Sequence, residues 1–172
     1  DRKENVVEHS FSVAMLCWRI HSALKLKLSL EKILLYALVH DIPERGLKED
    51  TNTYAPADER EHKYAREIAE YEKICVEFEE FSDLGHTLGN YNKKVDEEAR
   101  FVWRVDKMQG IILGGLDGHW NPHKGGVSYE EFKKKQDEFT EKCPPFLKEL
   151  FQHVSDEAYK SYYENPDKIS AG

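Results

Sequence analysis

The sequence predicts an all-α protein, a compact helical bundle with a metal site between its helices, and three observations predict it. Apolar residues recur at steps of three and four along most of the 172 residues. No stretch alternates apolar and polar residues as a half-buried strand would. Four metal-type ligands, His9, His40, Asp41 and Asp106, stand on apolar helical faces where hydrocarbon is expected. Imidazole and ionised carboxylate are costly to bury uncompensated, so one divalent ion held between helices would account for all four.

Taken in order, Val13, Leu16, Cys17, Ile20 and Leu24 form one stripe of a helix from Glu8 to about Leu26, and His9 begins that stripe. Ser29 is a helix cap, and a second helix runs through Leu30, Ile33, Leu34, Ala37 and Leu38 to His40 and Asp41, with Pro43 stopping it. Residues 45–56 read as a loop. A long charged helix follows over 58–81, with Ala65, Ile68, Ala69, Glu72 and Cys75 or Val76 approximating its face. Gly85 and Gly89 make 82–92 read as a connection. Asp96 opens a helix through Ala99, Val102, Val105, Asp106, Ile112 and Leu113, which the glycines at 114, 115 and 118 end. Residues 118–126 read as a loop, and helices at about 128–140 and 145–163 complete the bundle. With no repeat or low-complexity linker, residues 1–172 are expected to form a single domain.

A chain of this length buries a real core unaided, so a metal serves chemistry before folding. Cys17, Cys75 and Cys143 are odd in number, far apart and never C-x-x-C, which argues against a disulfide framework or thiolate zinc site and for a cytoplasmic home. No apolar run reaches membrane-spanning length, and a start at Asp1 suggests that residues precede it. With 33 acidic and 25 basic side chains, the net charge of −8 disfavours a nucleic-acid polymer as partner. A small phosphorylated ligand stays compatible, because a metal ion and a few local cations reverse the potential.

An HD dipeptide by itself says little: the histidine and aspartate content gives about half of one such pair by chance. One buried His or Asp is also ordinarily a hydrogen-bonded core group or a cap. Three cases on three helices favour the ion. A mixed imidazole and carboxylate set suits Mn, Fe, Co or Zn better than Ca or Mg. His119 and His123 are four apart, but Gly118, Pro122, Gly125 and Gly126 deny them a helix; Trp120 between them reads as surface packing or as a cover for a base. His21, His62, His86 and His153 have no partner at ligand spacing.

The runs E-N-V-V-E-H-S-F-S-V-A-M (4–15), A-L-V-H-D-I-P-E (37–44) and E-A-R-F-V-W-R-V-D-K (98–107) resemble the HD-domain phosphohydrolases, most closely the 5′-deoxynucleotidase branch. The resemblance covers about 4–113. It implies a single divalent ion on His9, His40, Asp41 and Asp106, and places Glu44, the last residue of H-D-x-x-E, near the scissile phosphate. It also implies a homodimer, and a small deoxynucleotide as ligand. An Asp that contacts the deoxyribose in relatives is matched by Asp50 one residue late, with Glu49 at the usual spacing. The phosphate-binding Arg of relatives stands upstream of Asp1; Lys107 and Arg45 are the local cations that meet phosphate or remain surface charges.

The activity so implied is removal of the 5′-phosphate from 2′-deoxyribonucleoside monophosphates, with Asp41 or Asp106 orienting water and Glu44 managing the proton of the leaving oxygen. Two alternatives stand beside it: a dNTP triphosphohydrolase of the same fold, and a non-enzymatic helical interaction module with a structural metal.

Overall fold

The computed structural model describes residues 4–46, 54–117 and 122–164, and every regular element among them is helical. Asn5 opens α1 (Val6–Ala23): its side chain accepts from the Val7 and Glu8 amides at 3.0 Å, and the Glu8 carboxylate accepts from the Asn5 amide at 3.1 Å. The helix thus starts at Val6, two residues before the Glu8 start expected from the apolar pattern. Ser10, Val13, Cys17 and Ile20 form its buried face. It ends at Ala23, Lys25 just past the cap takes a left-handed φ of +51°, and the His21 ring bonds the Leu28 carbonyl at 3.0 Å to close the turn.

Ser29 caps α2 (Leu30–Val39) by accepting from the Lys32 amide, and its own amide donates at 2.9 Å to Glu98, tying the start of α2 to the helix that carries Glu98. The tie is doubled where the Tyr36 hydroxyl donates to Asp96 at 3.0 Å. His40 is the cap residue of α2 and Asp41 lies just beyond it, after which the chain tightens into a five-residue 3₁₀ turn, Ile42–Gly46. Pro43 does not stop the helical winding outright; it sits inside this tighter turn, where its missing amide costs little.

Two readings of the middle of the chain need correction. The face of α3 (Ala57–Glu77) is not Ala65, Ile68, Ala69, Glu72 and Val76, all of which are exposed. The inward residues are Lys63, Glu67, Glu70, Tyr71, Ile74, Cys75 and Phe78, a face whose first half is charged. Residues 82–92 are not a connection but helix α4 (Ser82–Lys93). Its glycines permit close approach: a Cβ on Gly85 would stand 3.1 Å from the Cys75 sulfur, and one on Gly89 2.8 Å from the Tyr71 hydroxyl. The helix closes at Lys94 with a left-handed φ of +50°.

Helix α5 (Glu97–Asp117) runs through the middle of the packing and carries Ala99, Phe101, Val102, Val105, Met108 and Ile111 into the core. Asp96 caps it, accepting from the Ala99 amide at 2.9 Å, and Gly114 and Gly115 lie within it without ending it. Helix α6 (Tyr129–Glu141) starts on a Ser128–Glu131 capping box. Helix α7 (Pro145–Tyr159) continues as a π-type turn to Glu164. The Tyr162 hydroxyl donates to the Ile111 carbonyl at 2.8 Å, fastening this end to α5. Among the described residues no helix is long and apolar enough to cross a membrane.

Candidate metal centre

The capping box fixes the phase of α1 so that His9, one turn in, points toward α2 and α5. His40 and Asp41 arrive from the end of α2, and Asp106 from the middle of α5. The ligand atoms of His9, His40 and Asp41 lie within 4.8 Å of one another. Asp106 adjoins this group, its Oδ1 3.1 Å from His9 Nε2 and 3.9 Å from His40 Nε2. Asp41 straddles the two rings, with Oδ2 3.3 Å from His9 Nε2 and Oδ1 3.3 Å from His40 Nε2. All four residues named by the sequence therefore meet.

The hydrogen bonds behind the rings decide what the front can do. His40 Nδ1 lies 2.9 Å from the Ala37 carbonyl, which only accepts, so Nδ1 carries the proton and Nε2 presents a lone pair. His9 Nδ1 faces the Glu4 carboxylate at 3.3 Å with the same consequence. The two Nε2 atoms then confront each other at 3.3 Å, with carboxylate oxygens on either side. Acceptors do not converge in this way without a cation among them, and imidazole nitrogen with carboxylate oxygen is a donor set for a transition ion.

A proton serves when no ion does. Burial alone would lower the His9 pKa, but its hydrogen bond to Asp106 and the charges of Asp106, Asp41 and Glu4 outweigh that and raise it to about 9. Asp41 is pushed up by burial, against the pull of His40, with Asp106 and Glu44 adding to the rise. Burial would also raise Asp106; the Lys107 ammonium and the His9 hydrogen bond overcome it and hold the carboxyl well below its usual range. Lys107 lies 2.9 Å from Asp106 Oδ2, leaving Oδ1 to the ligand group.

Glu44 follows Asp41 within one turn, its amide donating to the Asp41 carbonyl at 2.9 Å. Asp50 and Trp120 lie outside the described residues, as does the Arg45 side chain, although the Arg45 backbone belongs to the 3₁₀ turn. His123 is not at the centre; its ring packs on Tyr163 at 5.2 Å. His62, His86 and His153 are exposed.

Several residues that build the site were not singled out from sequence. Glu4 orients His9 and is itself held by Gln109, whose side-chain amide lies 3.2 Å from both carboxylate oxygens. Gln109 follows Asp106 by three residues, so helical spacing placed it on the same face. Tyr91 packs edge-on against His40 at 5.7 Å. Lys63 on α3 reaches Glu44 Oε1 at 2.9 Å. No spacing relative to the motifs pointed to Tyr91 or Lys63.

Among known proteins, the profile of the HD domain family matches residues 1–146, further than the quoted runs extend, through α6 and to the start of α7. A search of curated proteins finds no match. The fold is similar to that in a crystal structure of a predicted metal-dependent phosphohydrolase from Magnetospirillum magnetotacticum MS-1, with a TM-score of 0.71 and 22% identity over 94% of this chain and 80% of that one. At that identity the likeness speaks for the fold alone.

Proposed function

Because the chain belongs to the HD-domain family, we propose that it is a metal-dependent phosphohydrolase that removes the 5′-phosphate from 2′-deoxyribonucleoside monophosphates. The observation that carries the hydrolase reading is the convergence of two imidazole Nε2 atoms and two carboxylates, with Glu44 three residues beyond Asp41 in the adjoining turn. The deoxynucleotide rests on the resemblance of the runs at 4–15, 37–44 and 98–107 to the 5′-deoxynucleotidase branch.

His9, His40, Asp41 and Asp106 would hold one Mn, Fe, Co or Zn ion. Such an ion, when bound, polarises a phosphoryl oxygen and lowers the pKa of water. Glu4 and the Ala37 carbonyl keep both Nε2 lone pairs turned to the centre. Asp41 or Asp106 orients the attacking water. Glu44 accepts that water's proton as its oxygen bonds to phosphorus. The bond from phosphorus to the 5′-oxygen breaks with its electron pair going to that oxygen, and Glu44 returns the proton there. Deoxynucleoside and inorganic phosphate result. Lys107 supplies positive charge beside the phosphoryl group, and Asp50 and Arg45 are proposed to contact the substrate.

A panel of dAMP, AMP and dATP with chromatographic identification of products tests this. The expected result is hydrolysis of dAMP to deoxyadenosine with AMP a poorer substrate. Equal catalytic efficiency on AMP removes the deoxynucleotide assignment. Cleavage of dATP to deoxyadenosine and triphosphate, with dAMP inert, replaces it by a triphosphohydrolase.

We further infer a homodimer built on the outer face of α1. Val7, Phe11, Met15 and Trp18 follow at helical spacing there and are 77%, 63%, 47% and 48% exposed, on the side opposite to His9. Glu8 and Arg19 flank one edge of this stripe at opposite ends. A second copy running antiparallel keeps this edge on the same side of the interface and brings each Glu8 level with the partner's Arg19.

A further inference from the structure

We propose that Lys63 is the positioning residue of Glu44, a role that rests on the phosphohydrolase reading above. Glu44 sits in a five-residue 3₁₀ turn, and the bond from its amide to the Asp41 carbonyl three residues back fixes the main chain, not the carboxylate. Lys63 Nζ, from α3, stands 2.9 Å from Glu44 Oε1, and 3.6 Å from Oε1 of Glu67 one turn further along the same helix. One carboxylate oxygen of Glu44 is thereby engaged, and the other is the one available to water and to the leaving 5′-oxygen.

An ordinary ion pair along a helix surface is the competing account of Lys63 and Glu67, and the orientation of α3 speaks against it. A helix laid on a core turns its apolar residues inward and its i, i+4 charge pairs to water. Here Ile68 and Val76 face outward, 40% and 75% exposed. Lys63 and Glu67 lie on the inward face, in line with Tyr71, Ile74 and Cys75. That face is held in register from its far end. Ile74 is fully buried, the Tyr71 hydroxyl donates to the Gly85 carbonyl at 3.3 Å, and Cys75 fits against the bare Gly85. A rigidly docked helix thus carries a cation to a carboxylate on a short turn, an arrangement that fixes a reacting group better than the turn alone.

Both pair members are only partly exposed, 20% and 28% at the side chains, so the contact is less screened than a surface pair. Lys107 cannot replace Lys63 here, since its ammonium is committed to Asp106 at 2.9 Å.

The test is a double-mutant cycle on the metal-loaded protein with the deoxynucleotide as substrate, using Lys63→Met and Lys63→Arg alone and Lys63→Met combined with Glu44→Gln. Lys63→Met is expected to lower kcat by about 10 to 100-fold with KM changed by less than about threefold and metal content unaltered. Lys63→Arg should recover most of the loss. In the Glu44→Gln background the same Lys63→Met change should alter kcat by less than about twofold, because the group it acts through has gone. An equal factor in both backgrounds overturns the proposal, as does a change confined to KM, which would make Lys63 a phosphate contact, or a loss of bound metal. Should Lys63→Met not fold, Lys63→Gln enters the same cycle with the same expectations. Wild-type protein that binds metal yet hydrolyses no phosphate ester overturns the phosphohydrolase reading and the Lys63 role together. Additivity in an active enzyme overturns the role of Lys63 alone.

Discussion

Metal uptake should expel a proton from His9, and the size of the effect follows from the geometry. In the metal-free protein the Asp106 hydrogen bond and the neighbouring carboxylates overcome the penalty of burial and raise the His9 pKa from 6.5 to about 9. At pH 7 the ring is then almost wholly protonated, while a metal ligand must be neutral. Displacing that proton two units below its pKa costs about 2.7 kcal/mol at 1.36 kcal/mol per unit. Apparent metal affinity should accordingly rise about tenfold per unit between pH 7 and pH 9 and flatten above. Calorimetric titration of the metal-free protein with Mn or Co, in two buffers of different ionisation enthalpy, should give about one proton released per ion at pH 7. The same shift makes the metal-free fold pH-dependent. Since the folded pKa is raised, this stability is fully present below 6.5 and is lost as pH rises through about 9; it is on the order of 3 kcal/mol. The lowered pKa of Asp106 owes most to the Lys107 ammonium, and the part due to His9 is the same pairing seen from the carboxylate and is not added. No proton release at pH 7, with affinity flat from pH 6.5 to 9, would refute the convergence of lone pairs on which the site is argued.

His40→Ala and Asp106→Ala should each abolish bound metal by elemental analysis, whereas Glu44→Gln should keep it and lose about two to four orders of magnitude in turnover; full metal and activity in the first two variants would exclude the site. Light scattering should report a dimer for the wild-type protein and a monomer for Trp18→Lys, and a monomeric wild type would leave the α1 stripe without its proposed cover. Arg104 is buried with no hydrogen-bond partner for any of its three guanidinium nitrogens among the described residues, its charge lying 3.7 Å over the Trp103 ring. Arg104→Met removes that unsatisfied charge at similar volume, so thermal unfolding should show unchanged or increased stability. A loss above about 3 kcal/mol would mean the stacking on Trp103 outweighs the missing hydrogen bonds.

The first ligand, the HD pair and the last Asp were legible because each lies on, or at the end of, a helix whose inward face is mostly hydrocarbon. Val13 and Cys17 on α1, Ile33 and Ala37 on α2, and Val102 and Val105 on α5 define faces by their spacing, and a His or Asp in register stands out against them. The same logic failed on α3. Its inward face begins with Lys63 and Glu67, and its outward face carries Ile68 and Val76, so apolar periodicity pointed the wrong way. The glycines of α4 misled for a related reason. Gly85 and Gly89 are there for the approach of Cys75 and Tyr71, contacts that exist only once α3 is docked, and a local rule reads them as breakers.

These two failures share one cause. A helix that lays polar groups into a site gives up part of the hydrophobic stripe that would otherwise hold it, and must be held elsewhere. Helix α3 is held through Tyr71, Ile74 and Cys75 against α4, which has to be glycine-containing to admit them. The charged first half of α3, the glycines of α4 and the reach of Lys63 to Glu44 are therefore one arrangement, in which close packing at the far end leaves the near end free to carry charge. Replacing Gly89 by Ala tests the coupling, because the added methyl would stand 2.8 Å from the Tyr71 hydroxyl. It should cost about 1–3 kcal/mol by displacing the Tyr71 hydroxyl, as overpacking does, less the roughly 1 kcal/mol that Ala gains over Gly within a helix. If the arrangement acts as one unit, it should also reduce turnover by the Lys63–Glu44 route while leaving bound metal intact. Lost stability with turnover unchanged would show that the α3–α4 contact supports the fold without setting the position of Glu44.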